Sequence, residues 1–147
     1  MGFISQLLKN KGSDVWSIGS QKSVYEALQE LKAKDVGALL VIDDGKLVGI
    51  FSERDYARRM ALEGKASKDT RVADLMSKKV FTVTPDTAIN ECMELMTQKK
   101  IRHLPVVEKD AVIGVITIGD VVKMIIFDKE FELNELKKYI SGAGYGG

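Results

Sequence analysis

The chain has 147 residues, 45% hydrophobic and 29% charged, a balance that excludes disordered and fibrous classes and fits a compact soluble domain of ordinary size. Its 22 Lys and Arg face 21 Asp and Glu, and the net charge of +1 gives no global field to attract nucleic acid or an anionic membrane. The single cysteine, Cys92, excludes an intramolecular disulfide and fits a reducing compartment, so a cytoplasmic location is expected.

Residues 1–13 read as an N-terminal extension with a short helix around Ile4–Leu8. The opening MGFISQLLKNKG is too short and too polar for a signal peptide, and no apolar run nears the ~20 residues of a membrane helix. Residues 14–63 form the first of two similar segments. A short strand, Val15–Ile18, precedes a helix with Val24, Ala27, Leu28 and Leu31 at helical spacing and Ser20 in its N-cap region. Two apolar strands follow, Gly37–Ile42 and Lys46–Phe51. The turn between them, Asp43-Asp44-Gly45, contains the Asp-Gly pair that favours a hairpin. A helix from about Glu53 to Leu62 closes the segment.

Residues 64–79 are the linker, with a short helix at Val72–Met76. Residues 80–128 repeat the order. They give a strand at Val80–Val83 and a helix with Thr84 in its N-cap region, Pro85 in its first turn and Ile89, Met93 and Met96 at helical spacing. Strands His103–Val107 and Ala111–Thr117 meet at a turn near Lys109-Asp110, and a helix runs from about Ile118 to Phe127. Residues 129–147 add a separate amphipathic helix over 130–140 and a glycine-rich tail, SGAGYGG, expected to be mobile.

The two segments superpose without a gap. Val15 meets Val80, Glu26 meets Glu91, Leu39 meets Leu104, Gly49 meets Gly114 and Asp55 meets Asp120. The expected fold class is therefore α/β (α+β), with two β-α-β-β-α repeats packed about a pseudo-twofold axis. Each repeat alone is too short to bury much of its surface.

Each repeat carries one constellation at the end of its last strand: Gly49-Ile50-Phe51-Ser52-Glu53-Arg54-Asp55 and Gly114-Val115-Ile116-Thr117-Ile118-Gly119-Asp120. A hydroxyl ends the strand, and a carboxylate follows one helical turn later. Backbone N–H groups at such a terminus suit a phosphate, and an aspartate accepts from a ribose diol. The same spacing also serves as a plain helix cap. Its double occurrence at one register favours a ligand.

These motifs, GIFSERD with GVITIGD, VGALLV with IRHLPVV, and TVTPDTAI, resemble the CBS-domain family, named for cystathionine β-synthase, and its tandem form, the Bateman module. The likeness covers about residues 14–127, and FSERDYARRM followed by RVADLM is similar to small stand-alone bacterial members. It implies a regulatory module that binds an adenosine-bearing ligand between its halves. AMP is the first candidate, and ADP, ATP, NAD and S-adenosylmethionine are the others. It also implies a homodimer and a partner protein that reads the ligand state.

Carried over residue by residue, the likeness makes Asp55 and Asp120 ribose ligands and places Ser52 and Thr117 near ribose or phosphate. Ile18, Gly19, Val36, Gly37 and Ala38 would enclose the base in the first half. Val83, Thr84, Ile101, Arg102, His103, Leu104 and Pro105 would do so in the second. Gly37-Ala38 facing Arg102-His103 in the alignment predicts two unequal sites.

Arg54 and Arg58 are candidate phosphate contacts, because guanidinium matches phosphate geometry, whereas Arg59 reads as a solvated position. His103, the single histidine, has no acidic, Cys or His cluster in sequence reach and is read as lining the pocket, with neither a metal nor a catalytic role. Cys92 reads as a small buried hydrophobe. No P-loop, GxSxG, HExxH or CxxC is present, and a non-enzyme is expected. The alternative is a constitutive interaction module whose hydroxyl–carboxylate pairs are only caps.

Overall fold

A computed structural model describes the backbone of residues 2–145 and the side chains of residues 2–141. Helix α1 spans Ile4–Lys11, and strand β1 is Ser17–Ile18. Helix α2 is Val24–Lys34, and the hairpin β2–β3 is Ala38–Asp43 with Lys46–Ser52. A helix then runs as α3 (Glu53–Asp55), a π turn (Tyr56–Met60) and α4 (Ala61–Glu63). After α5 (Val72–Leu75) come α6 (Ile89–Lys99), β4 (His103–Glu108), β5 (Ala111–Thr117) and α7 (Ile118–Tyr145). β1 pairs parallel with β2, and β2 pairs antiparallel with β3; β4 and β5 form a second, two-stranded sheet.

The repeat survives in detail. α2 buries Val24, Ala27 and Leu31, and α6 buries the aligned Ile89, Cys92 and Met96. Both helices end on a left-handed non-glycine residue, Asp35 with φ 54° and Lys100 with φ 56°. The next N–H then turns back to the helix, from Val36 to the Leu31 carbonyl and from Ile101 to the Met96 carbonyl. The hairpin turns match too. Asp44 and Gly45 take φ 50° and 78°, and Lys109 and Asp110 take 51° and 64°, the two positive values a tight hairpin turn requires.

The chain groups into two compact units. One is drawn from the N-terminal dozen residues, Val83–Leu104 and the chain from Ile116 onward; the other from Ser13–Thr82 and Pro105–Val115. The core of the second unit is Ile18, Val24, Ala27, Leu31, Leu39, Val41, Phe51, Met60, Val72, Leu75 and Met76. In the first unit Ile4, Ile89, Cys92, Leu104, Ile116 and Val121 are fully buried. Gly49 permits the linker to cross β3. A Cβ there would lie 2.6 Å from Met76 Sδ and 2.9 Å from the Ser77 carbonyl oxygen, where Ser77 and Ile50 exchange two backbone hydrogen bonds.

Several expectations are corrected. Val80–Val83 is not a strand; only Val83 makes a single bridge. In the first repeat the Leu40 N–H donates to the Trp16 carbonyl at 3.1 Å, and the aligned residue is Pro105, which has no N–H. The helix expected to end near Phe127 and the separate helix over 130–140 are one continuous 28-residue helix. Asp128 and Lys129, at the expected break, are neither glycine nor proline, and nothing stops propagation. The same continuation takes Ser141 to Tyr145 of the SGAGYGG tail into α7, and Gly146 and Gly147 lie outside the described residues.

Ser20 does not cap α2. Ser23 does, accepting from the Glu26 N–H at 3.1 Å while Glu26 accepts from the Ser23 N–H, the S-x-x-E capping box. Ser20 instead donates its N–H to Asp43 Oδ1 at 2.9 Å and its hydroxyl to Oδ2, which holds the Asp43 carboxyl below its usual range. Thr84 donates its N–H to Thr87 Oγ1, and α6 starts after Ala88, so Pro85 lies in the preceding turn and not in the helix. Arg59 is no solvated residue. Its guanidinium donates to the Asp74, Leu75 and Met76 carbonyls, the orphan acceptors where α5 ends.

Candidate functional site

The site begins where β3 and β5 end. The Glu53 N–H donates to the Gly37 carbonyl at 3.0 Å, and the aligned Ile118 N–H donates to the Arg102 carbonyl at 2.9 Å. These bonds tie each helix start to the entrance of the neighbouring strand. Ser52 Oγ accepts from the Asp55 N–H at 3.1 Å, and Asp55 Oδ2 accepts from the Ser52 N–H at 3.3 Å and hydroxyl at 3.0 Å. Thr117 Oγ1 accepts from the Asp120 N–H at 3.1 Å, and Asp120 Oδ2 accepts from the Thr117 N–H at 2.9 Å. Both copies are therefore reciprocal caps. In each, the cap falls on one carboxylate oxygen, Oδ2, and uses half of the carboxylate.

The fold brings Gly37, Ala38, Ser52 and Asp55 together, with Ala38 paired opposite Ser52 in the sheet. It likewise gathers Arg102, His103, Thr117 and Asp120. Gly19, Val36 and Ile101 are partly buried. Ile18, Val83, Leu104 and Pro105 are buried, which limits what their side chains can offer a ligand. Arg54 and Arg58 are exposed, Arg58 within the π turn, and Thr84 is exposed in the turn before α6. π turns often accompany functional sites.

The two copies differ in their electrostatics. Lys11 Nζ, at the end of α1, lies 2.6 Å from Asp120 Oδ2. Burial pushes the Asp120 carboxyl up, but the Lys11 and Thr117 hydrogen bonds outweigh it and hold the group below the usual carboxylate range. His103 is pushed down, first by burial and then by the Lys11 and Arg102 charges, with Asp120 opposing. It is neutral near pH 7. A cavity of about 430 Å³ opens beside this cluster, lined by Leu7, Asn10, Lys11, Asp120, Lys123, Met124 and Phe127. Its size suits a small-molecule ligand. It combines one carboxylate and two ammonium groups with an apolar wall. Sequence reading missed Lys11, Asn10 and Lys123. Lys123, three residues after Asp120, could have been found from helical spacing; Lys11 carried no such signal. Among the described residues no group of His, Cys, Asp and Glu has the arrangement of a metal site, and no helix is long and apolar enough to cross a membrane.

Two aligned units, β-α-β-β-α and α-β-β-α, each with a hydroxyl–carboxylate cap after its last strand, define a tandem module of the kind called a CBS pair. The chain belongs to the CBS-domain family, with CBS domains matched at residues 11–62 and 72–126. It is 40% identical over 152 residues to the mitochondrial CBS domain-containing protein CBSX3 of Arabidopsis thaliana, covering 97% of this chain and 73% of that one. The crystal structure of the CBS-domain containing protein ATU1752 from Agrobacterium tumefaciens is similar at 40% identity and a TM-score of 0.80, over 84% of this chain and 98% of its own. The fold also matches the CBS domain pair of protein MJ0100, solved with 5′-methylthioadenosine and S-adenosyl-L-methionine, at 24% identity and a TM-score of 0.75, over 84% of this chain and 99% of that one.

Proposed function

We propose that this chain is a non-catalytic sensor of an adenine nucleotide, with AMP the first candidate and ADP, ATP, NAD and S-adenosylmethionine the others. The observation that carries the reading is the duplicated cap, which leaves Oδ1 of each aspartate to one hydroxyl of a vicinal diol. At Asp120 it adjoins a cavity of about 430 Å³ that holds two lysines. Those lysines favour a phosphate-bearing ligand. The complex of the MJ0100 pair with two adenosyl compounds supports the ligand class. Asp55 and Asp120 bind ribose hydroxyls on this reading, and the remaining residues named from the family likeness enclose the rest of the ligand. On this reading the two domains span residues 14–63 and 80–128, and the protein works in the cytoplasm.

The ligand state is read through a homodimer. Within α7, Val121 is buried and Met124 and Ile125 are partly buried, while Val122, Ile126 and Phe127 are 40%, 51% and 64% exposed. Because residues 130–140 continue the same helix, they cannot fold back over this face. A second copy supplies the cover.

A thermal-shift panel of AMP, ADP, ATP, NAD and S-adenosylmethionine tests the reading. A true ligand stabilises the fold by mass action, by about 2.7 kcal/mol at a hundred times its Kd. No shift with any of the five would favour a second reading, a constitutive interaction module. That reading draws on the observation that both hydroxyl–carboxylate pairs are complete caps.

A further inference from the structure

We propose that Lys11 makes the Asp120 site selective for phosphate-bearing adenine ligands over neutral adenosyl ones. The inference rests on the reading of Asp120 as a diol ligand and adds what governs that site.

Asp120 Oδ2 accepts from the Thr117 N–H at 2.9 Å and from Lys11 Nζ at 2.6 Å. A carboxylate oxygen has two lone pairs, and both are engaged. A diol that bridges the two carboxylate oxygens must therefore displace the lysine. Asp55 Oδ2 is filled as well, by the Ser52 N–H and hydroxyl, but the donor a diol would displace there is a neutral hydroxyl and not an ammonium.

The lysine cannot leave by undocking its helix. The Ile4 and Ser5 N–H groups donate to the Thr87 and Pro85 carbonyls at 3.0 Å, the Ile89 N–H donates to the Gly2 carbonyl, and Ile4 and Leu7 are buried. What can move is the four-carbon side chain, at the last residue of α1, before Gly12 with φ 99°. The cavity it enters also holds Lys123.

The consequence is an exchange of partners. A nucleoside monophosphate takes the carboxylate with its diol and offers its phosphate to the displaced ammonium, so one charge-assisted bond replaces another. A neutral nucleoside takes the carboxylate and offers nothing in return. The cation on Asp120 thus penalises neutral ligands and spares anionic ones.

The test is calorimetric titration with AMP and with adenosine, all in an Asp55→Asn background so that the Asp120 site is read alone. Lys11→Met should change AMP affinity little and strengthen adenosine about tenfold or more, collapsing the preference between them, and Lys11→Arg should restore it. Melting curves check that each variant is folded. If Asp120→Asn weakens AMP but Lys11→Met leaves the AMP-to-adenosine ratio unchanged, this inference fails and the diol reading stands. If Asp120→Asn leaves AMP binding unchanged, or AMP does not bind in this background, the diol reading at Asp120 fails and the inference falls with it.

Discussion

The Leu40 N–H donates to the Trp16 carbonyl, and this bond holds β1 in its sheet. Its counterpart in the second repeat is Pro105, where no such bond can form. Leu40→Pro should therefore leave the Trp16 carbonyl without its donor and remove a buried side chain. The expected loss is about 3 kcal/mol or more in urea unfolding. Pro105→Leu adds a donor and should cost far less. Equal stability of Leu40→Pro and the parent would contradict the account of why the repeats differ.

Cys92 is fully buried on α6, and burial, assisted by the neighbouring Glu91 charge, pushes its thiol up to about 11. The reactive thiolate is scarce at pH 8. A thiol reagent should label the native protein far more slowly than the urea-unfolded chain. Labelling at equal rates would show that the α6 face is open.

His103 has a folded-state pKa below its ordinary 6.5. Between the two values the unfolded chain binds a proton that the folded one does not, so stability falls as pH drops through 6.5 toward the folded value and is level above 6.5 with respect to this group. One proton limits the slope to about 1.4 kcal/mol per pH unit. His103→Gln should flatten melting temperature against pH between 5 and 7. Asp120 acts in a different window: its lowered pKa contributes stability above 3.8 that is lost only as pH falls further.

One face of α7 carries Val122, Ile126, Leu133 and Leu136, all at least 40% exposed. Apolar surface of this extent marks an interaction site. Light scattering should give twice the chain mass at micromolar concentration, and Ile126→Lys with Leu133→Lys should give the single mass. A monomeric parent would contradict the dimer.

Much of the fold is legible in the sequence because each signal occurs twice. Val24, Ala27 and Leu31 with Ile89, Cys92 and Met96 set the same buried stripe, and Asp44-Gly45 announced its hairpin. Misreadings arose where long-range bonds decided the outcome. Ser20 was drawn to Asp43, twenty-three residues away, leaving the cap to Ser23. Arg59 was claimed by the carbonyls that end α5. At the site, the Ser52–Asp55 and Thr117–Asp120 pairs are local in sequence and visible there. The Lys11–Asp120 pair spans 109 residues, and no periodicity or motif announces it.

The central claim is that these aspartates meet a ribose diol. Calorimetric titration of the parent, Asp55→Asn and Asp120→Asn with AMP and 2′-deoxy-AMP tests it most directly. Each substitution should weaken AMP at its site about tenfold to a hundredfold, the value of a hydrogen bond to a charged group. Without ligand, Asp55→Asn should change stability little, since an amide oxygen still accepts from the Ser52 N–H, whereas Asp120→Asn should cost stability because it removes the Lys11 ion pair. The deoxy ligand should lose a similar factor on the parent and little more on the mutants, the coupling expected of groups in contact. Full AMP affinity in both mutants, or additive losses for mutation and deoxygenation, would contradict it.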